Sequence, residues 1–505
     1  MTTIEALPTP PADDADEDEA VRSRSLYRAM WRWHFFAGLF AIPVIVLLCL
    51  SGLVWLFKPQ IWYLMYGDIQ NVTPSSPTVT YEQQLAAVET AFPGAEVSAV
   101  HTPPSATRST IVDIATADGK DLSVYVDPYS GEVLGQVNPA TDIASIALDL
   151  HGSLMTGSWL GDEGYYGDRF IEIVAGWSIV LLVTGTYLWW PRGKRRGWRG
   201  VLLPRFNLRG KRILWRDVHA VTGIMFAFIT LFFLVTGLAW AGWWGPNYLS
   251  VATQAVGGYP QVETNSKTVG ELLPNGQSPW AMGNLPLAAS QPVPPPGGQV
   301  GAELRWDPSQ GAPLDAVIAS AQRLGIPHGF SVFWPEDETG AYNIGYWEDG
   351  PQQPSRSATN ARIAYLDQYT AEPISEYGFD DYGWAGQATS FGIALHEGRQ
   401  WGLINQILVT IATLAILLSV ATSMVMWRKR RPKGIGAPRR EPNRKLGLGL
   451  LLIIALLGIL FPLLGASILV VLLTELLVIR QVPPLARAFG ITPPRERATT
   501  PGPAD

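Results

Sequence analysis

Long apolar runs dominate the hydrophobic pattern of the chain. They cover about residues 36–57, 171–190, 218–243, 402–427 and 446–479. About 20 apolar residues cross the 30 Å hydrocarbon layer of a membrane, so each of the first four runs predicts one spanning helix. The fifth run is long enough for two short helices that turn near Pro462 and Gly465. The pattern therefore predicts six transmembrane helices, separated by two long polar segments at about 58–168 and 244–400.

Shorter periodicities in those two segments predict similar α+β modules. In both, an amphipathic helix is followed by alternating strands and a turn that contains tyrosine, Asp127-Pro128-Tyr129 or Asp367-Gln368-Tyr369. A Pro/Gly-rich stretch at 291–301 indicates a loop inserted before the second module. The predicted elements are a helix at 81–92 with strands at 110–114 and 122–127, and a helix at 314–323 with strands at 330–334, 342–347 and 363–367.

The chain repeats itself once. Helices one and three open with related segments, Trp31-Arg32-Trp33-His34 and Trp215-Arg216-Asp217-Val218-His219. Leu-His then precedes helices two and four, at His151 and His396. The repeat unit is therefore helix, module, Leu-His, helix, and a duplicated unit identifies positions that both copies kept within this one chain.

Charge sets the orientation of these helices. Lys and Arg cluster at about 22–32, 192–216 and 428–445, and cytoplasmic loops of membrane proteins retain positive charge. We expect these regions and both termini to face the cytoplasm and both modules to lie outside. No cleavable signal peptide is evident. The single cysteine, Cys49, excludes disulfides within the chain, a C-x-x-C-H haem site and a cysteine-ligated iron–sulfur cluster.

These patterns divide the chain into consecutive segments. The predicted segments are a disordered acidic tail (1–27), helix one (28–57), the first module (58–145), a histidine segment with helix two (146–190), a basic loop (191–215), helix three (216–243), the second module with its insertion (244–390), a histidine segment with helix four (391–427), a basic loop (428–445), a hairpin of helices five and six (446–480), and a tail (481–505).

Four of the six histidines fall at matching helix ends. Topology places His34 and His219 at the cytoplasmic ends of helices one and three, and His151 and His396 at the outer ends of helices two and four. Two imidazoles on facing helices can take both axial positions of one haem iron, so the sequence predicts two b-type haems. Gly38 and Gly223 lie one helical turn after His34 and His219, where a missing side chain would admit a flat macrocycle.

Other interpretations of these residues stay open. A histidine at a membrane-helix end can snorkel to the interface, and glycine can serve helix packing. A zinc site would need three or four close ligands, whereas each membrane face offers two histidines, with only Glu397 adjacent. His101 and His328 lie in the modules and receive no role. The sequence has no G-x-G-x-x-G after a strand, no Walker motif and no H-E-x-x-H.

The order of elements at about 25–435 resembles the PepSY-associated transmembrane-helix family, which includes inner-membrane ferric-siderophore reductases and iron-regulated membrane proteins. The resemblance implies an α-helical membrane bundle of about six helices, with a four-helix haem-binding core from the repeat and two extracytoplasmic PepSY-like α+β modules. The first module keeps Gly131 in its turn, whereas the second has Ala371 where the family commonly has glycine.

The resemblance also implies a function. We expect a multi-pass inner-membrane protein that holds two haem b groups and passes electrons outward to a ferric siderophore or another ferric chelate. The donor would be a quinol or a cytoplasmic reductase; no nucleic-acid partner is expected. Module aromatics, including Trp334, Tyr342, Tyr346, Trp347 and Trp384, would line the acceptor site or belong to the module cores. The alternatives are a quinol-linked cytochrome b subunit for another reductase, and a non-enzymatic PepSY membrane protein that regulates a peptidase.

Overall fold

A computed structural model describes most of the chain. The described residues are 12–162, 164–191, 200–206, 211–258, 260, 264–268, 286–290, 311–335, 337, 339–346, 356–430, 435–438, 440 and 448–491. Residues 192–199 and 207–210 of the basic loop, the Pro/Gly-rich insertion and Trp347 lie outside the described residues, and so do the predictions made for them. The chain forms two compact units. The first comprises Met1–Cys49, Arg169–Val235 and Ala412–Asp505, and the second Leu50–Asp168 and Thr236–Ile411.

Fifteen α-helices occur in the described part of the chain. They are α1 Ala12–Leu56, α2 Lys58–Gln70, α3 Tyr81–Ala91, α4 Ile143–Ser153, α5 Thr156–Leu160, α6 Tyr165–Trp189, α7 Lys211–Met225, α8 Ala227–Gly237, α9 Val251–Ala255, α10 Leu314–Arg323, α11 Trp384–His396, α12 Leu403–Arg430, α13 Leu448–Leu460, α14 Pro462–Thr474 and α15 Pro483–Ala488. Helix α1 begins inside the region predicted as a disordered tail, where Ala, Asp and Glu suit the first turns of a helix.

Several of these helices can cross a membrane. Four are long and apolar enough by themselves, namely Ser25–Leu56, Tyr165–Trp189, Leu403–Arg430 and Pro462–Ile479. A fifth span results if Arg212–Met225 and Ala227–Trp240, which are bent by 55° at their junction, count as one. The described part of the chain is therefore that of a membrane protein with four or five spans.

The last apolar block forms two helices that are separated by a break at Phe461. Pro462 occupies the first position of α14, which suits its fixed φ and missing N–H. Gly458 and Gly465 let the two backbones touch, since a Cβ on Gly465 would lie 2.8 Å from the Cα of Gly458. The 13 residues of α13 extend only about 20 Å, which is shorter than the hydrocarbon layer. Two helices are present in the predicted block, whereas the hairpin and the six membrane spans stay predictions.

Both modules contribute to one antiparallel sheet. Its eight strands lie in the order β10-β9-β8-β7-β1-β2-β3-β4, so the two predicted modules are continuous through β1 and β7, with Val100 opposite Val332. A small second sheet pairs β5 with β6. The strands are β1 Glu96–His101, β2 Thr110–Ala115, β3 Asp121–Val126, β4 Val133–Val137, β5 Thr264–Thr268, β6 Pro286–Ala288, β7 Ser331–Phe333, β8 Ala341–Tyr346, β9 Arg362–Asp367 and β10 Pro373–Gly378.

The module helices α3 and α10 confirm the two helices predicted at 81–92 and 314–323. They pack on the same face of the sheet over a shared apolar core that includes Val88, Val112, Val317 and Ile344. In the first turn of each helix, a backbone amide donates a hydrogen bond to a carboxylate of the other helix. The Tyr81 amide donates to Asp315 and the Asp315 amide to Glu82, at 3.1 and 3.0 Å. Each carboxylate thus neutralises the positive end of the neighbouring helix.

The closing turns of the two modules have the same backbone hydrogen bonds. The amides of Gly131 and Ala371 donate to the carbonyls of Asp127 and Asp367, at 2.8 and 2.9 Å. Both residues adopt a left-handed conformation, with φ of 75° and 57°. Alanine in this region is strained because of its Cβ. The second module therefore keeps the turn despite losing the glycine.

Candidate functional site: two histidine pairs

The first unit brings His34 of α1 and His219 of α7 together. Their ring centroids are 6.2 Å apart and the ring planes are inclined by 72°. Both rings are part-buried. The pairing expected from the repeat is therefore present in the structure, although one ligand comes from each half of the chain.

The second unit brings His151 and His396 together in nearly the same way. Their ring centroids are 6.3 Å apart and the ring planes are inclined by 85°. His151 lies near the end of α4, and His396 is the last residue of α11. Burial lowers the pKa of His396 to about 3, and the neighbouring His151 adds to the effect. The ring is therefore neutral near pH 7, which is the form that can bind a metal.

One nitrogen of each ring is already engaged by a neighbouring helix. The Nδ1 atoms of His34, His151 and His396 lie within hydrogen-bonding distance of a side-chain hydroxyl, and that of His219 lies 3.0 Å from the backbone carbonyl and 3.2 Å from the hydroxyl of Ser419. The hydroxyl partners are Thr184 at 3.0 Å from His34, Ser51 at 3.4 Å from His151 and Thr236 at 2.8 Å from His396.

These contacts fix the tautomer of two rings. A carbonyl only accepts, so Nδ1 of His219 must carry the proton. The Thr184 hydroxyl donates its single proton to the carbonyl of Val180 at 2.6 Å, so it accepts from Nδ1 of His34. In a neutral imidazole the other nitrogen, Nε2, then carries the lone pair. His34 and His219 therefore each present a metal-binding nitrogen away from the contact.

Glycines next to the hydroxyls give the rings room. A Cβ at Gly52 would lie 2.9 Å from Cε1 of His151, and one at Gly185 would lie 3.1 Å from Cε1 of His34. At Gly237 the distance to Cε1 of His396 would be 3.5 Å. The sequence repeats Ser51-Gly52, Thr184-Gly185 and Thr236-Gly237 near helix ends. That repetition was the available signal for these residues, but it does not say that they contact histidines.

The two glycines chosen from the sequence lie elsewhere. The nearest atom to a Cβ at Gly38 is Cδ2 of Leu181, at 3.7 Å, and the nearest to one at Gly223 is Oγ of Ser419, at 4.0 Å. Both distances are ordinary contacts or longer. Gly38 and Gly223 thus have space beside them, and their part in admitting a macrocycle remains a prediction.

The spacing of each pair can be compared with that of a metal-bridged pair. An imidazole nitrogen lies about 1.1 Å from its ring centre and a metal–imidazole bond is about 2.0–2.1 Å, so two imidazoles on opposite sides of one iron have centroids about 6.3 Å apart. The two pairs measure 6.2 and 6.3 Å. Coordinated rings can take any twist about the shared axis, so the inclined planes agree as well. The residues present therefore fit two bis-histidine haems.

The other candidate side chains are engaged elsewhere. Glu397, which follows His396, forms an ion pair with the buried Arg399. Among the described residues, no three His, Cys, Asp or Glu side chains cluster as a metal site. Of the aromatic residues suggested for an acceptor site, Tyr342, Trp334 and Tyr346 belong to the module core or pack against it, whereas Trp384 is 68% exposed.

His101, which had no role in the sequence-based predictions, joins the two modules. Its Nε2 lies 2.8 Å from Asp113 of β2 and its Nδ1 lies 2.6 Å from Ser331 of β7. The ring is buried at the pairing of β1 with β7. This contact spans the whole repeat, so no local pattern could have indicated it.

Comparison with known proteins agrees with the membrane helices. A search of curated protein sequences found no significant match. Residues 31–430 match the family described as the PepSY-associated TM region, a range that includes all four paired histidines and the sheet. Because this match covers most of the chain, the protein belongs to the PepSY-associated TM family.

Proposed function

We propose that this membrane protein is a diheme b-type electron-transfer protein. One haem would be held by His34 and His219 and the other by His151 and His396. The observation that carries the proposal is that both pairs have the centroid spacing of a bis-imidazole iron site, while Nδ1 of each ring is engaged by a neighbouring helix. A haem held by these residues would supply a centre that takes up and releases one electron.

A direct contact between two imidazoles is the competing explanation. Edge-to-face aromatic pairs also have centroids 4.5–7 Å apart. A direct contact between the rings does not require Nδ1 to have a partner on another helix, yet Nδ1 has one in all four histidines. The repeated Nδ1 contact therefore favours metal ligation, in which an outer hydrogen bond orients the ring.

The direction of transfer follows from charge and from the proposed topology. The proposed topology has six membrane-spanning helices, with α13 counted among them, and the basic loops on the cytoplasmic side of an inner membrane. In this topology both modules lie outside. Moving an electron outward across a membrane that is negative inside is favoured by about 2.3 kcal/mol per 100 mV. The donor would then be a quinol or a cytoplasmic reductase.

The proposed acceptor is ferric iron held in a siderophore or similar chelate. Each ferric ion takes one electron, and the ferrous ion is held less tightly by hard oxygen ligands, so the metal is released. Helix α11 supports a site near the modules, because it runs from the exposed Trp384 to His396 and follows β10 closely. An exposed tryptophan offers a flat apolar surface for a bulky chelate.

The visible spectrum of the purified protein is the first test. We expect low-spin haem b and about two haems per chain when haem is extracted and quantified. A preparation from haem-sufficient cells that carries no haem would contradict the proposal and leave the PepSY-type partner-binding role.

A second test addresses the acceptor. The dithionite-reduced protein, freed of excess reductant and mixed anaerobically with a ferric siderophore, should reoxidise while a ferrous-specific dye develops colour. Trp384→Ala should slow this step while both haems stay bound. Reoxidation no faster than by oxygen alone would remove the ferric-chelate assignment but not the diheme assignment.

A further inference from the structure

Three of the paired histidines share a contact with a hydroxyl residue that immediately precedes a glycine. Ser51, Thr184 and Thr236 each contact the Nδ1 atom of a histidine, and each is followed by glycine. We refer to these three residues as the hydroxyl anchors. We propose that the hydroxyl anchors are positioning residues, which hold Nδ1 of the haem ligands so that Nε2 faces the iron. This inference rests on the proposed diheme function.

The anchors act reciprocally within each half of the chain. In the first half, α1 carries His34 and contacts His151 through Ser51, while α6 contacts His34 through Thr184. In the second half, Thr236 at the end of α8 contacts His396, and α12 contacts His219. Since each pair joins one histidine from each half, every proposed haem has one ligand and one anchoring contact from each repeat copy.

Glycine after the hydroxyl is part of the same arrangement. The ring edge formed by Nδ1 and Cε1 lies against the helix backbone, at distances that would bring a Cβ within 2.9 Å at Gly52 and 3.1 Å at Gly185. Contacts of 3 Å or less between a Cβ and a ring carbon are repulsive. The hydroxyl and the glycine therefore work together, since the first binds the nitrogen and the second lets the ring come close enough to be bound.

The contacts of His219, the fourth paired histidine, show which part of this arrangement is common to all four. Helix α12 has Thr422-Ser423 where the other three helices have a hydroxyl residue followed by glycine. Nδ1 of His219 instead lies 3.0 Å from the carbonyl and 3.2 Å from the hydroxyl of Ser419, and this carbonyl also accepts from the Thr422 hydroxyl at 2.9 Å. An oxygen atom therefore lies within hydrogen-bonding distance of Nδ1 at all four histidines, although a glycine follows the oxygen-bearing residue at only three of them. This points to the oxygen contact, rather than the adjacent glycine, as the common feature.

Donation from Nδ1 has a consequence for the iron. A hydrogen bond from Nδ1–H to an acceptor raises the basicity of the ring, which strengthens the Nε2–iron bond and favours the ferric state. Removing an anchor should therefore raise the reduction potential of one haem and weaken its retention. Loss of such an outer contact typically costs about 10- to 100-fold in metal affinity.

The test compares Thr184→Val and Thr236→Val with Thr184→Ser, Thr236→Ser and Thr230→Val in the full-length protein. Valine keeps the shape of threonine but lacks the acceptor, whereas serine restores it. Thr230 is the matched control because its hydroxyl also donates to the carbonyl four residues earlier, that of Phe226, rather than contacting a histidine. Haem content, a potentiometric titration and the low-temperature EPR spectrum of the ferric protein are measured for each.

We expect Thr184→Val to shift the EPR signal and raise the potential of one haem, and Thr236→Val to do so for the other. Serine at either position and Thr230→Val should keep parent values. Ser51→Ala, a smaller change, should affect the same haem as Thr236→Val if a valine variant cannot be purified. Unchanged spectra and potentials in the valine variants, or equal loss of both haems, would overturn the inference. A parent protein without haem would instead overturn the proposed function, and that result is visible before any variant is made.

Discussion

The two halves of the chain build the same elements from partly different residues. In the first half α1 is a single long helix, the contact to His34 is a hydroxyl, and the module turn has Gly131. In the second half the matching helix is bent by 55°, the contacts to His219 are the carbonyl and the hydroxyl of Ser419, and the turn has Ala371. The Nδ1 contact and the turn hydrogen bond are present in both halves although the residues differ. The two halves thus resemble each other more closely in these hydrogen-bond positions than in side-chain types.

The largest effects should come from the histidines themselves. His34→Ala and His219→Ala, one change in each half, should each abolish or convert to high spin the same haem, because they fill one pair. His151→Ala and His396→Ala should affect only the other haem. Haem quantification and EPR on the four variants check this. If His34→Ala and His151→Ala removed the same haem, the pairing across the halves would be wrong.

The next largest difference between the two halves should come from Gly52→Ala and Gly237→Ala. A Cβ at Gly52 would lie 2.9 Å from the His151 ring, whereas one at Gly237 would lie 3.5 Å from the His396 ring. We expect Gly52→Ala to displace its ring and to destabilise the fold by about 1–3 kcal/mol, the usual cost of overpacking. Gly237→Ala should be close to neutral. The Soret maximum and the melting temperature in detergent report both effects, and equal shifts in the two variants would contradict the difference in space.

Substitution of His101 tests how the two modules are held together at the pairing of β1 with β7. His101→Ala removes contacts to Asp113 and Ser331 and leaves a part-buried carboxylate with fewer partners, so the free energy of unfolding should fall by about 1–3 kcal/mol. His328→Ala, at an exposed position of the second module, should change stability by less than about 0.5 kcal/mol. Thermal unfolding followed by tryptophan fluorescence compares the two. Similar melting temperatures would show that His101 does not hold the two modules together.

The smallest effects belong to the module turns. Ala371→Gly should stabilise the protein by up to about 1 kcal/mol because it relieves a left-handed alanine, while Gly131→Ala should cost about the same. A thermal melt of both variants measures the difference directly. If Ala371→Gly were destabilising, the entropy that glycine loses on folding would outweigh the strain in this turn.

Sequence patterns could predict the spanning helices, the module helices and the grouping of the four histidines. Apolar runs and repeated motifs are local properties, so His34 and His219 could be matched before any contact was known. The strands β1, β4, β5, β6 and β10 were missed; β4 and β10 are the edge strands of the large sheet and are only partly buried, so their apolar pattern is weak. The hydroxyl anchors were visible in the sequence as a repeated Ser/Thr-Gly motif, but the sequence did not indicate what they contact. Ser51 and His151 are 100 residues apart, and nothing local indicates that they meet.

The pairing of β1 with β7 has a consequence for synthesis of the protein. His101 and Ser331 are 230 residues apart in the chain, and a membrane-spanning helix, Tyr165–Trp189, is made between them. At about 5–20 residues per second, the ribosome needs roughly 10–50 s to supply the partner strand. During that interval β1 is an uncovered edge, the kind of surface that pairs with other chains and aggregates. A cell that overproduces this protein should therefore accumulate chains arrested with half a sheet, and the supply of chaperones on the side where the modules fold should limit the yield.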